Sequence, residues 1–142
     1  LTQQPMSEIL KIPKQTHFPY DKISITLIPS ERSQLHQRIA KRFESMLKCG
    51  LVDEVHSIRK QFSLSIVSPS MRCVGYRQAC LYLDDKISIS ELQDSGIAAT
   101  RQLAKRQLTW LRGMKSDNVN EFDCLASKLS EQIKFLLKKT IK

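Results

Sequence analysis

The sequence predicts a mostly α-helical fold that contains one or two β-strands. Five segments repeat apolar residues at helical spacing, whereas only KISITLI, at residues 22–28, alternates convincingly as a strand with one face more buried. The length of 142 residues suits one domain, and the 41% hydrophobic and 26% charged residues are typical of globular proteins. A lone strand leaves backbone groups unpaired. It therefore pairs either with residues missing from this chain or with a short strand near residues 119–122.

In the first half of the chain, proline and glycine residues mark the boundaries of the predicted segments. Residues 1–21 contain three prolines and are predicted to be a connector. Glu31 is expected in the first turn of a helix whose apolar stripe ends before Gly50, a helix-stop residue. A second helix follows at once and continues to about Phe62. A third helix, around residues 76–83, comes after a loop.

The second half begins with a strong helix-start signal. Ser88 and Glu91 have the spacing of a capping box, and Ile87 and Leu92 that of a hydrophobic staple. The helix is expected to run to about Arg112, with Gly96 bending it at most. A possible short strand at residues 119–122 is followed by a lysine-rich helix predicted from Leu125 onward.

Several classes of protein are disfavoured by what the sequence lacks. No glycine is followed by lysine, so a phosphate-binding GxxxxGK[ST] loop is absent, and no paired-carboxylate or metal-ligand spacing is present. Taken alone, the chain is not expected to be catalytic or to hold a metal. The cysteines form no CxxC pair, and neither a signal peptide nor a membrane-spanning run is found, so reduced thiols in the cytoplasm are expected.

Positive charge is concentrated in one helical segment. The net charge of +9 favours polyanionic partners, and no acidic residue lies between Asp94 and Asp117. At about 100° per residue, the side chains of Arg101, Lys105 and Arg112 fall within roughly 40° of one another, with Trp110 on the opposite side. This pattern predicts a basic stripe that contacts RNA and a tryptophan that anchors the helix. A merely solvated face is the alternative.

Two further sites carry weaker signals. The stretch MRCVGYR, at residues 71–77, can bring a glycine, a tyrosine and two arginines to a helix start, where phosphates and bases can bind. A structural turn with Tyr76 in the core explains it equally well. Arg38 and Arg42 lie four residues apart beside an apolar stripe, and either can hold a phosphate or pair with a carboxylate.

Three ordered segments carry a family resemblance. LHQRIAKRFESMLKCGLVDEV (residues 35–55), PSMRCVGYRQ (69–78) and ATRQLAKRQLTWLRG (99–113) are similar to motifs of the bacterial tRNA dimethylallyltransferases. The resemblance weakens after about Met114. It implies the C-terminal part of a P-loop-type α/β core whose N-terminal half is absent. Residues 22–116 then belong to the catalytic and tRNA-binding core, and residues 117–142 add a strand and a helix.

The resemblance also implies chemistry and partners. The family transfers a dimethylallyl group from dimethylallyl diphosphate, with Mg²⁺, to the N6 amine of the adenosine 3′ of the anticodon, which is flipped out of its stack. The magnesium ligands are expected in the missing half, and the tRNA anticodon stem-loop is the expected partner. A noncatalytic tRNA-binding fragment is the alternative. The resemblance makes Arg38 or Arg42 the diphosphate-facing arginine. It assigns tRNA contact to Met71, Arg72, Cys73, Val74, Gly75, Tyr76, Lys105, Arg106, Gln107, Leu108, Thr109, Trp110, Leu111 and Arg112.

Overall fold

The computed structural model describes residues 22–114 and 119–140, together with Pro5, Glu8, Lys11 and Tyr20. Most of the predicted connector at residues 1–21 therefore lies outside the described residues. The described ranges contain, in chain order, β1 (Ser24–Ile28), α1 (Arg32–Lys48), α2 (Leu51–Phe62), a 3₁₀ turn (Pro69–Arg72), α3 (Tyr76–Leu83), α4 (Ile89–Gly113), β2 (Val119–Asp123) and α5 (Leu129–Thr140). The predicted mostly helical fold with two strands is confirmed.

The junction between α1 and α2 depends on Gly50. Its backbone adopts a left-handed φ of 92°, a conformation that glycine takes without strain, and this reverses the chain between the two helices. At the other end of α1, the sequence predicted Glu31 in the first turn. In the structure Glu31 is instead the N-cap residue. Its carboxylate accepts a hydrogen bond from the Gln34 side chain at 2.9 Å.

The hydrophobic core lies where the second half of α1, α2, the 3₁₀ turn, α3 and the start of α4 meet. Its buried residues come from all five elements: Phe43, Leu51, Val55, Met71, Ala79, Cys80 and Leu92. At its edge Arg59 donates to Asp84 at 2.9 Å, and this hydrogen bond raises the pKa of Arg59. Burial raises the pKa of the Cys80 thiol, which is consistent with an inert core cysteine.

The start of α4 matches the sequence prediction closely. The Ser88 hydroxyl accepts from the Glu91 amide at 3.3 Å, and the Glu91 carboxylate accepts from the Ser88 amide at 2.7 Å. These reciprocal bonds satisfy backbone donors that the first turn of a helix leaves free. Gly96 does not end the helix, which continues for 25 residues. Only Leu92 and Gly96 of α4 are buried, so its C-terminal half projects from the core.

The two strands pair with each other in parallel. Ser24 lies opposite Val119 and Ile28 opposite Asp123, which agrees with the predicted alternative that β1 pairs with a short strand near residues 119–122. The prediction that β1 has a buried face is wrong for the described residues, since Ile25 is 36% and Leu27 45% exposed. The residues of the other face, Thr26 and Ile28, are half-buried.

The last helix begins four residues later than predicted, at Leu129. The Leu125 amide donates instead to the Asp123 side chain at 2.9 Å, and residues 124–128 form turns. The same carboxylate accepts from the Ser30 amide at 3.1 Å, which ties the end of β2 to the start of α1. Hydrogen bonds from Ser30 and Leu125 lower the pKa of Asp123. Within the described ranges, no helix has the length and apolarity needed to cross a bilayer.

Candidate nucleic-acid interface

Helices α1 and α4 pack side by side, and their line of contact organises the candidate site. Phe43 of α1 faces Gly96 of α4 so closely that a Cβ added at Gly96 would lie 2.0 Å from the ring. Farther along, Leu35 and Ala104 border the surface openings on both sides of the helix pair. We call this line of contact the α1–α4 seam. It separates two positively charged surfaces.

One side of the seam carries a narrow groove lined by cations of both helices. Arg32 and His36 come from α1, and the predicted stripe of Arg101, Lys105 and Arg112 comes from α4. We call these five residues and the surface between them the basic groove. Its floor is formed by less polar residues: Ile28, Pro29, Leu35, Ala104 and Leu108. Within the described part of the chain, none of the four lysine and arginine side chains forms an ion pair.

The other side of the seam carries the two arginines that the resemblance connects with the diphosphate. Two neighbouring openings, of about 440 and 550 Å³, lie along it. Arg42 borders both of them, whereas Arg38 borders only the larger one. Both arginines are exposed, and neither pairs with a carboxylate in the described ranges. We call this surface the arginine side. The position of Arg42 makes it the better-placed of the two candidates.

The predicted tRNA-contact segment at residues 71–76 is only partly available for contact. Met71 is fully buried in the core, so its side chain is not a contact residue in this structure. Gly75 is buried at a φ of 95°, and its amide donates to the Gln78 side chain at 2.9 Å. That amide is consequently not available to a phosphate. Arg72 and Cys73 are exposed, and Val74 is half-buried.

Tyr76 matches the structural alternative that the sequence left open. Its ring packs against the core cluster, and its hydroxyl donates to the carboxylate of Glu54 on α2. This hydrogen bond is the main reason that the pKa of Tyr76 is raised. The phenol is thus fixed by an intramolecular partner, and the sequence pattern could not reveal that partner because Glu54 lies 22 residues earlier.

The second predicted segment, residues 105–112, is mostly exposed, and the prediction that its tryptophan anchors the helix was wrong. Trp110 is 66% exposed and is therefore not a buried anchor. The face of α4 that packs on α1 lies between the basic stripe and Trp110, and it contains Gly96, Ala104 and Leu108. Leu108 and Leu111 are half-buried on or near this face. The exposed members are Lys105, Arg106, Gln107, Thr109, Trp110 and Arg112.

Sequence reasoning missed Arg32 and His36. They stand four residues apart on α1, which places them on the same helix face. The sequence did contain one indication of their position. Arg32 and His36 flank Leu35, and the apolar stripe already predicted that Leu35 faces a partner helix. Without knowledge that this partner is α4, the two side chains could not be joined to the basic stripe.

Comparison with known proteins decides the family. Residues 1–114 match the family model described as IPP transferase, the range over which the resemblance was strongest. This chain belongs to the IPP transferase family. A tRNA dimethylallyltransferase of Nitrosospira multiformis is 54% identical over 140 residues, which cover 99% of this chain and 43% of the relative. One of Nitrosomonas europaea is 53% identical over 133 residues, covering 94% and 41%.

Solved structures of the IPP transferase family share the fold. The tRNA delta(2)-isopentenylpyrophosphate transferase of Staphylococcus epidermidis aligns with a TM-score of 0.73 at 27% identity, over 97% of this chain and 44% of that one. The full-length tRNA isopentenylpyrophosphate transferase of Bacillus halodurans aligns with a TM-score of 0.71 at 33% identity, over 93% and 43%. The chain thus spans about two-fifths of the length of the relatives that it matches.

Proposed function

We propose that this chain is the C-terminal part of a tRNA dimethylallyltransferase. The complete enzyme would move a dimethylallyl group from dimethylallyl diphosphate to the N6 amine of the adenosine 3′ of the anticodon. The observation that carries the proposal is the 54% identity, over 99% of the chain, to a relative of that name. The exposed cations on both sides of the α1–α4 seam support it, because tRNA and the diphosphate are both polyanions.

In this proposal the chain contributes binding and electrostatics. Arg42, with Arg38 beside it, faces the diphosphate of the prenyl donor, where negative charge grows as the carbon–oxygen bond breaks. Preorganised cations at such a position stabilise the transition state more than the ground state. Lys105 and Arg112 hold the tRNA backbone and so present the target adenine. The proposal implies that the protein works in the cytoplasm, in the same compartment as its tRNA substrate.

A magnesium ion and a nucleotide-binding loop of the P-loop type are further parts of the proposal. In the described ranges no three His, Cys, Asp or Glu side chains converge in a way that fits a metal ion. We expect the ligands of Mg²⁺, and the group that accepts the amine proton, in the part of the complete enzyme that this chain does not cover. When bound, Mg²⁺ would neutralise the departing diphosphate.

A chimeric enzyme tests the proposal. This chain would replace the matching 140 residues of the Nitrosospira multiformis relative, which is 54% identical. We expect the chimera to prenylate tRNA from radiolabelled dimethylallyl diphosphate, and the 142-residue chain alone to show no turnover. A folded chimera that binds tRNA without transferring the prenyl group would contradict the proposed activity and favour a noncatalytic tRNA-binding role. Turnover by the isolated chain would contradict the proposal that this chain contributes only binding and electrostatics.

A further inference from the structure

We propose that Arg32 and His36 belong to the RNA-binding surface and that the basic groove holds a segment of the tRNA sugar–phosphate backbone. This inference rests on the proposed function, since it takes tRNA as the polyanion. It adds two residues of α1 that lie outside both predicted contact segments. It also assigns RNA binding to the basic groove, a different surface from the arginine side, where the prenyl donor is expected.

The charge pattern of the basic groove favours a polyanion. Its walls carry five basic side chains, and no acidic residue lines it. Two acids adjoin the lining residue Ser30, one through a hydrogen bond and one in sequence, and both already have hydrogen-bond partners. Asp123 accepts from the Ser30 and Leu125 amides, and Glu31 accepts from Gln34. A phosphate in the groove would thus meet donors on two helices, and no carboxylate on the walls would oppose it.

The size of the two surfaces distinguishes their ligands. The basic groove encloses only about 180 Å³, below the roughly 300–1,000 Å³ typical of pockets that surround a small molecule. The openings on the arginine side, at about 440 and 550 Å³, fall within that range. A groove this small can hold part of the backbone of a polymer that continues beyond it, whereas the arginine side has room for a prenyl diphosphate.

The length of the basic groove matches several phosphates. Lys105 and Arg112 are seven residues apart, which is about 10 Å along the helix axis. Arg32 and His36 are four residues apart, about 6 Å along α1. Phosphates that follow one another along a nucleic-acid strand are spaced on a similar scale, so each cation can meet a different one. Separate contacts should therefore release separate counterions.

Alanine variants of the groove test the inference by direct RNA binding. Binding of a fluorescent anticodon stem-loop RNA would be measured against salt concentration, on both the 142-residue chain and the chimera. Arg32→Ala should weaken binding about threefold to tenfold and lower the slope of log affinity against log salt by about 0.7 to 0.9. Arg32→Lys should restore the slope. His36→Ala, which removes an N–H donor, should weaken binding about threefold.

Matched controls separate the groove from general charge effects. Lys60→Ala removes one exposed cation of α2 that borders neither surface, and it should leave affinity and slope nearly unchanged. In the chimera, Arg32→Ala should raise the KM for tRNA and not that for dimethylallyl diphosphate. Arg42→Ala should instead lower kcat by about 10²-fold, the typical loss for one transition-state donor.

The outcomes distinguish this inference from the proposed function. If Arg32→Ala and His36→Ala behave like Lys60→Ala in the binding assay, the groove does not hold RNA, even when the chimera is active. If they raise the KM for dimethylallyl diphosphate, the groove serves the donor and the inference is wrong. If the chimera binds RNA through the groove and fails to transfer the prenyl group, the groove assignment stands and the proposed activity falls.

Discussion

At the scale of single residues, the contact between Gly96 and Phe43 determines how closely α1 and α4 approach. A glycine inside a helix costs roughly 1 kcal/mol relative to alanine. The sequence showed this cost but not the tertiary contact that offsets it. The compensation is the phenylalanine ring, which occupies the space where a side chain at position 96 would lie. Since Phe43 is only 3% exposed, the ring has little room to move away.

Gly96→Ala should therefore destabilise the protein despite the better helix propensity of alanine. We expect the free energy of unfolding to fall by about 1 to 3 kcal/mol, the usual cost of overpacking a core. Gly113→Ala is the matched control, because among the described residues no atom outside the adjoining helix backbone lies within 4 Å of a Cβ added there. It should be neutral or slightly stabilising. Urea unfolding checks both, and equal stability of the two variants would contradict the close contact.

Trp110 requires a different expectation from the one its helical position first suggested. With its side chain 66% exposed, Trp110→Ala should change the free energy of unfolding by less than about 0.5 kcal/mol. Trp110 belongs to the segment for which the resemblance implies tRNA contact, and an exposed indole can stack on an RNA base, so losing it should weaken stem-loop binding about tenfold. The salt slope should stay constant, and Trp110→Phe should retain most of the affinity. A large fall in melting temperature would show that the indole is buried after all.

At the scale of elements, local signals predicted helix starts better than strand environments or helix ends. The capping box of α4 was predictable because its bonds join residues three apart in sequence. The start of α5 was predicted four residues too early, because the apolar pattern did not show that the Asp123 side chain accepts from the Leu125 amide and holds a turn there. The apolar alternation of β1 gave its position correctly. It could not show that Ile25 and Leu27 would lie on the more exposed face of the strand.

The capping box makes a measurable contribution to α4. Ser88→Ala removes the hydroxyl that accepts from the Glu91 amide, and we expect a loss of about 1 kcal/mol in the free energy of unfolding. The first turn should fray, which hydrogen exchange of the amides of residues 89–92 would detect. Ser88→Asp can still accept the same bond and is the control. Unchanged exchange in Ser88→Ala would mean that packing alone holds this helix start.

The same capping box should also give a pH dependence. Hydrogen bonds from the Ser88 amide, and then from its hydroxyl, lower the pKa of Glu91 in the folded protein. A lowered carboxyl pKa stabilises the fold above the unfolded value, near 4.3, and this contribution is lost as the pH falls through the folded value. The difference in melting temperature between the unaltered protein and Glu91→Gln should thus shrink from pH 7 to pH 3. A constant difference would contradict the assignment.

At the scale of the whole molecule, the α1–α4 seam separates the basic side chains into two surfaces. The sequence alone did not distinguish these surfaces. Helical periodicity placed Lys105 with Arg112, and it placed Arg38 with Arg42. It could not show that the two pairs face opposite sides, because that depends on which helix packs on which. Met71 illustrates the same limit, since the motif that suggested RNA contact contains a residue of the core. Composition and motif order indicated the family, whereas the arrangement of the charges required the packed helices.

The parallel pairing of β1 with β2 has a consequence for how the molecule is made. The paired strands are roughly 95 residues apart, so β1 leaves the ribosome long before its partner exists. At about 5 to 20 residues per second, the wait is roughly 5 to 20 seconds. The intervening helices make contacts that are closer in sequence, and these can form during that time. Pairing of β1 with β2 is thus a late event in biosynthesis, and until then the edge of β1 that β2 occupies lacks this partner.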